Sequence, residues 1–229
     1  QDEKTDYFEV VQKDLYDGDE CYIRFAGNSV VSIDPIQMVL RKIKNKNAQL
    51  DVLCNINSGA DITISRITNK HLEKFKGNFG NSDGVFVLTE SEIRELRFNS
   101  DEQKITKQFI KNSDIYCFGV KSTRDKLLYL RWEDNIDKFP NIKKHLLRFK
   151  QILEDQQNRY EESYPWFALH RPREQSIFES EEKILVPYRN SKNTFGYTTR
   201  SVYSSRDVFF ITEKDSSVLL KYVLALLNS

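Results

Sequence analysis

The stretch from Pro165 to Ile211 constrains the fold most. Between Lys183 and Arg206 it carries no Asp or Glu, and its cations there are Lys183, Arg189, Lys192, Arg200 and Arg206. Tyr188, Phe195, Tyr197 and Tyr203 stand among them, and Val208-Phe209-Phe210-Ile211 closes the stretch. Aromatic and β-branched residues at alternate positions mark short strands, so this part of the chain reads as strands joined by cationic loops. Two uses of those side chains stay open. Cations hold phosphates, rings pack on sugars or bases, and Asn and Thr read base edges. Equally, the apolar residues pack a core while Lys and Arg are solvated on the other face. A basic run supplies only the electrostatic part of a nucleic-acid footprint.

The length suits one large domain, or one domain with an appendage. The 35 Lys and Arg nearly cancel the 34 Asp and Glu, leaving a net charge of +1, so only the local distribution of charge points to a polyanion. No apolar run is long enough to span a bilayer, and no secretory signal opens the chain. It starts at Gln1 rather than Met, which reads as a fragment excised from a longer protein. Cys21, Cys54 and Cys117 form no CxxC pair, and His71, His145 and His170 do not flank them at metal spacing. They read as reduced, mostly buried thiols of a cytoplasmic protein rather than zinc ligands.

Along the chain, Cys21–Phe25 and Val30–Ile33 alternate like a hairpin. Residues 1–33 are therefore assigned to the tail of a preceding domain or to an appendage, and residues 34–229 to the main domain. Asp34-Pro35 opens a helix whose apolar face is Ile36, Val39, Leu40 and Ile43. The polar run Lys44–Asn47 ends it and suits a boundary between appendage and main domain. Leu50–Ile56, Ile62–Ile67 and Gly84–Leu88 read as strands, Asn69–Phe75 as a short helix, and Gly77–Asp83 as a loop. Thr89 and Glu92 fit a capping box. Ile115–Phe118 and Leu127–Trp132 read as a strand pair. Pro140–Tyr160 is the clearest helix, with Ile142, Leu146, Phe149, Ile152 and Leu153 on one face. Ser216–Asn228 is a second. The expected class is α+β: a curved, mainly antiparallel or mixed sheet with packed helices.

Several phrases, each short, occur in an order that resembles the TaqI-like C-terminal specificity domain of adenine-N6 DNA methyltransferases and fused restriction–modification enzymes. They are Asn57-Ser58-Gly59-Ala60-Asp61-Ile62-Thr63, Gly84-Val85-Phe86-Val87-Leu88-Thr89, and Phe109-Ile110-Lys111-Asn112-Ser113-Asp114-Ile115. Pro140-Asn141-Ile142, His145-Leu146 and Pro165-Trp166-Phe167-Ala168-Leu169-His170-Arg171-Pro172-Arg173 follow. Lys183-Ile184, Asn193-Thr194-Phe195 and Leu226-Leu227-Asn228-Ser229 complete the series. The likeness runs from about Asp34 to Ser229. It implies a target-recognition domain that holds double-stranded DNA against a preceding methyltransferase domain of a bacterial restriction–modification enzyme, which could also carry an endonuclease. It further implies that S-adenosylmethionine, and Mg²⁺ if the parent cuts DNA, belong to the parent's other domains.

The residues themselves carry no catalytic constellation. There is no glycine-rich cofactor loop, no nucleophile elbow and no Asn-Pro-Pro-aromatic motif for a flipped adenine. Glu181-Glu182-Lys183 holds part of a nuclease pattern without a Pro-Asp partner, and reads as a charged turn before a strand. The expected DNA-binding residues are Lys111, Asn112, His170, Arg171, Arg173, Lys183, Tyr188, Arg189, Lys192, Asn193, Tyr197, Arg200 and Arg206. Arg171 and Arg173, on either side of Pro172, are expected to clamp phosphates; the bland alternative is ion pairs with Glu174 or Glu179. Arg189 or Lys192, in the loop Tyr188–Phe195, is expected to read a base. His170 suits a phosphate donor or a cap on a neighbouring strand, Lys111-Asn112 a backbone contact or a plain turn, and Trp166 a core anchor or a ring close to a base. A different class stays open too: a module that packs on a protein partner through the same aromatic-rich basic surface.

Overall fold

The computed structural model describes residues 16–17, 20–21, 49–214 and 219–229. Gln1–Ala48 and Gln49–Ser229 form two compact units. In the first, strand β1 (Tyr16–Asp17) pairs antiparallel with β2 (Glu20–Cys21). The expected turn Ala26–Ser29, the helix from Asp34 to Ile43 and the boundary at residues 33 and 34 lie outside the described residues.

The second unit begins with helix α1 (Leu50–Leu53), strand β3 (Cys54–Ser58), α2 (Asn69–Lys74), β4 (Val87–Leu88), α3 (Glu90–Leu96), α4 (Ser100–Lys104) and β5 (Thr106–Gln108). It continues with β6 (Ile115–Tyr116), β7 (Gly119–Val120), β8 (Lys126–Leu128), α5 (Pro140–Leu147), α6 (Lys150–Gln157), α7 (Gln175–Glu179), β9 (Lys183–Pro187), β10 (Gly196–Thr198), β11 (Val208–Glu213) and α8 (Leu220–Leu227). The class is α+β. One sheet runs β10-β9-β11-β3, a second runs β4-β8-β5, and β6 and β7 form a hairpin, all antiparallel. Parallel bridges at Ala60–Ser205 and Phe109–Tyr203 make the whole mixed.

The four-stranded sheet is buried on both faces because its strands alternate two apolar sets. Leu185, Val208 and Phe210 face the main core, where Phe178, Tyr203 and Phe86 are also buried. Ile184 and Ile211 face the other way and pack with Cys54 under Leu220, Val223 and Leu224 of α8. Of the cysteines expected to be mostly buried, Cys54 is buried, and burial pushes its thiol up, whereas Cys117 is exposed.

Several elements differ from the sequence pattern. Leu50–Leu53 is a turn of helix, not the start of a strand, and Ile62–Ile67 makes only an isolated bridge at Arg66. Ile115-Tyr116 pairs with Gly119-Val120, whereas the strand at Leu127 pairs with β4 and β5. The long helix breaks at Arg148-Phe149 into α5 and α6, although its five apolar residues are all buried. At the break Arg148 donates to Asn78 O at 3.0 Å and reaches Asp83 at 2.9 Å. Phe149 packs against Phe79 and His145. Sequence periodicity shows which residues are apolar together and not that the axis turns between them.

One carboxylate holds the centre of this half. Glu102 is fully buried beside the N-terminus of α5 and accepts from Asn141 N at 2.6 Å, Ile142 N at 3.0 Å, Asn141 Nδ2 at 2.8 Å and Asn99 N at 2.8 Å. Burial pushes its pKa up, but these donors outweigh it, and the carboxyl lies below its usual range. The expected capping box is present as well: Thr89 N and Oγ1 donate to Glu92, and Glu92 N donates to Thr89 Oγ1.

Candidate functional site

The antiparallel order brings three strand ends to one edge of the four-stranded sheet. β3 ends at Ser58, β9 runs out into Tyr188, and β11 starts just after Asp207. Tyr188 N donates to Asp207 O at 2.7 Å, extending the ladder one step past the strands. Gly59 lets the end of β3 pass against the returning chain: a Cβ there would lie 2.3 Å from Ser205 O. Ala60 N donates to Ser204 O and Gly59 N to Val208 O, both at 2.9 Å. Asp61 N donates to Arg171 O at 2.8 Å, which brings the 171–173 segment alongside.

These ends enclose an open depression of about 730 Å³, lined by Ser58, Asp61, Asn112, Arg171, Arg173, Tyr188, Arg189, Arg206 and Asp207. A second, of about 600 Å³, shares Asn112, Arg189 and Asp207 with it and adds polar residues, among them Lys111, Asn190, Arg66 and Ser205, over an apolar floor of Val87, Phe109 and Ile115. Together they make a largely polar cleft whose main walls come from five separate stretches of sequence, residues 58–66, 111–113, 171–173, 188–190 and 205–207.

The cations in it are held in different ways. Arg171 pairs with Glu162 at 3.0 Å rather than with Glu174 or Glu179. Arg206 lies 3.8 Å from Asp61. Arg189 sits over the Tyr188 ring at 5.7 Å, and Asn112 Nδ2 donates to Arg189 O at 2.9 Å, fixing the base of that loop. Arg173 has φ 65°, a left-handed conformation that a non-glycine residue adopts at a cost. Two contacts fix it there: the buried Tyr129 hydroxyl donates to Arg173 O at 2.6 Å, and the guanidinium donates to Ser58 Oγ at 3.0 Å. The segment is thus not extended, yet both arginines line the same cleft. Burial pushes the Tyr129 hydroxyl up to about 12, so it stays protonated and donating.

Six of the thirteen expected residues, Asn112, Arg171, Arg173, Tyr188, Arg189 and Arg206, line the larger depression, and Lys111 lines the adjoining one while pairing with Asp125 at 2.6 Å. Lys192 and Asn193 are exposed in the loop between β9 and β10. The other four do not present their polar groups to the cleft. Lys183 is fully buried, because strand alternation puts it on the same face as Leu185; its ammonium donates to Ser180 O at 2.6 Å and Arg200 O at 2.9 Å. Burial, opposed by Glu179, lowers its pKa to about 8. Tyr197 alternates to the α8 face, donates to Glu182 and lies under Lys221. Arg200 donates to Val120 O at 2.9 Å. His170 is buried behind the cleft wall, stacked on Tyr160 at 3.8 Å, with Nδ1 3.1 Å from Asp61. It supports the wall rather than reaching a ligand. Trp166 packs on the main core, as its apolar neighbours suggest.

Ser58, Asp61, Arg66, Asn190, Ser205 and Asp207 were absent from the expected set. The phrase Asn57–Thr63 pointed at two of them, but a search for cations and rings passes over serines and carboxylates at strand ends. Among the described residues no group of three or more His, Cys, Asp or Glu stands together to hold a metal ion, and no helix is long and apolar enough to cross a membrane.

The profile of the TaqI-like C-terminal specificity domain matches residues 56–229. Over 160 residues the chain is 31% identical to the Type II methyltransferase M.MjaIV of Methanocaldococcus jannaschii, across 64% of this chain and 51% of that protein. The chain therefore spans about half the length of that curated relative. The structure of the Type IIL restriction–modification enzyme MmeI in complex with DNA aligns over 80% of this chain and 22% of its own, at 18% identity and a TM-score of 0.47.

Proposed function

From the membership of this chain in the TaqI-like C-terminal specificity domain family, we propose that it recognises a DNA target for a restriction–modification adenine-N6 methyltransferase. The cleft at the strand ends carries the reading. In its larger depression four arginines, Asn112 and Tyr188 converge from four stretches of chain, and Tyr188 supplies a ring there. Such a lining suits a polyanion with hydrogen-bonding edges better than an apolar protein surface. Arg171 and Arg173, fixed by Glu162 and by Ser58 and Tyr129, are suited to phosphates, and Arg189 on the Tyr188–Phe195 loop to a base edge.

In this reading the duplex lies across the cleft and is presented to a methyltransferase domain elsewhere in the parent protein. S-adenosylmethionine would bind to that domain, as would Mg²⁺ to a nuclease if the parent has one, and the protein would work in the bacterial cytoplasm. The contribution of this chain is binding and orientation, without a chemical step.

Fluorescence anisotropy with mixed-sequence duplex DNA tests this. Non-specific binding is expected at ~10⁻⁴ to 10⁻⁶ M near physiological salt, with a negative slope of log K against log salt as counterions are released. No binding at low salt, or a flat slope, would favour a protein partner instead.

A further inference from the structure

Among the arginines of the cleft stands a carboxylate that is in no ion pair among the described residues. Asp61 is compensated, lying 3.1 Å from His170 and 3.8 Å from Arg206. Asp207 is not: among the described residues it enters no ion pair, and only its Oδ2 accepts, from Ser205 Oγ at 3.1 Å. It is exposed, and it lines both depressions. Its backbone is fixed from two sides, by Tyr188 N on its carbonyl and by the turn in which Val208 N donates to Ser205 O at 3.0 Å.

An unpaired carboxylate weakens a phosphate-binding surface by repulsion, so its position calls for a partner other than phosphate. In the major groove the only base-edge donors are the amino groups of cytosine N4 and adenine N6; guanine and thymine present acceptors, and thymine a methyl group. An ionised carboxylate accepts from the first pair and is repelled by the lone pairs of the second. We infer that Asp207 is a specificity-determining residue that accepts a hydrogen bond from the amino group of an adenine or cytosine and rejects guanine or thymine at that place on the same strand. The inference rests on the DNA-recognition reading and adds to it which bases one position of the target admits.

The test uses the 229-residue chain, a pool of duplexes with a randomised centre, and sequencing of the bound fraction. The wild-type chain is expected to enrich a motif. In Asp207→Ala, inversion of the base pair at one position should be tolerated, its penalty of about 5- to 150-fold falling toward parity. Binding to unrelated sequences should tighten, because a repulsive charge is gone. Asp207→Asn keeps an oxygen for Ser205 and so protects the turn; it too should admit the inverted pair, since a neutral amide no longer repels lone pairs. If both folded variants keep every preference of the wild type, Asp207 reads nothing and the inference fails. A wild-type chain that binds all sequences alike also overturns it, while leaving DNA binding intact. Absence of binding to any duplex removes both.

Discussion

The polar groups around Glu102 and those along the cleft at the strand ends are satisfied to opposite degrees. Glu102 is fully buried and receives four N–H donors; Asp207, Arg173 and Arg189 are exposed and hold at most a few protein contacts each. Buried charge persists only where the fold supplies its partners. Charge that the fold leaves partly unpaired at a rigid edge is available to something else. The Glu102 cluster therefore holds α4 and α5 together, and the cleft offers its hydrogen-bonding capacity outward.

The sharpest way to break this contrast is Glu102→Ala. It leaves the N–H groups of Asn99, Asn141 and Ile142 without a partner in the interior, and should cost about 3–5 kcal/mol, read as a lowered urea midpoint. An unchanged midpoint would mean that the helix start needs no anchor. Next comes Lys183, which sequence alone places in the DNA surface and the structure places in the core. Lys183→Met should lower stability by about 1–3 kcal/mol, by orphaning two carbonyls, and leave DNA affinity unchanged. The same variant carries a pH signature. In the fold this lysine loses its proton near pH 8, while in the unfolded chain it keeps it to about 10.5. The unfolded state thus binds more protons in that window, and wild-type stability rises with pH across it. The methionine variant should lack this rise.

The smallest effect on stability belongs to the cleft. Alanine at Arg171, Arg173 or Arg189 should move unfolding by no more than about 0.5 kcal/mol. Their effect is expected in binding. Removing a side chain that holds a phosphate lowers the salt slope by about one unit, whereas removing one that reads a base costs ~1–3 kcal/mol on the cognate duplex and relaxes one position. Variants that melt early without a change in affinity would make these arginines structural.

Local signals were legible in the sequence where they are complete within a few residues. The capping box at Thr89–Glu92, the helix at Asn69 and the exposed loop after β9 each depend on neighbours in the chain. The cationic wall was legible for the same reason, since Arg171, Arg173 and Arg189 lie in one dense stretch. What was not legible depends on the third dimension. Lys183 and Arg189 belong to one acid-free run, yet strand alternation sends the first inward and the end of the strand leaves the second outside. His170 reads as a donor until Tyr160 and Asp61 enclose it. Ser58 and Asp207, far apart in the chain, become neighbours only when β3 pairs with β11.

That last pairing has a consequence for the time at which the cleft comes into being. Ser58 sits opposite Phe209 in the ladder, so the wall made by the end of β3 waits for a strand near the far end of the chain. Such long-range closure is entropically costly and slow beside hairpins and helix turns. A growing polypeptide can complete the β4-β8-β5 sheet and the Glu102 anchor while the residues of the cleft are still scattered. The cleft is therefore expected to be complete only late in folding, and in a half-made chain, though already rich in arginine, its walls would still be apart.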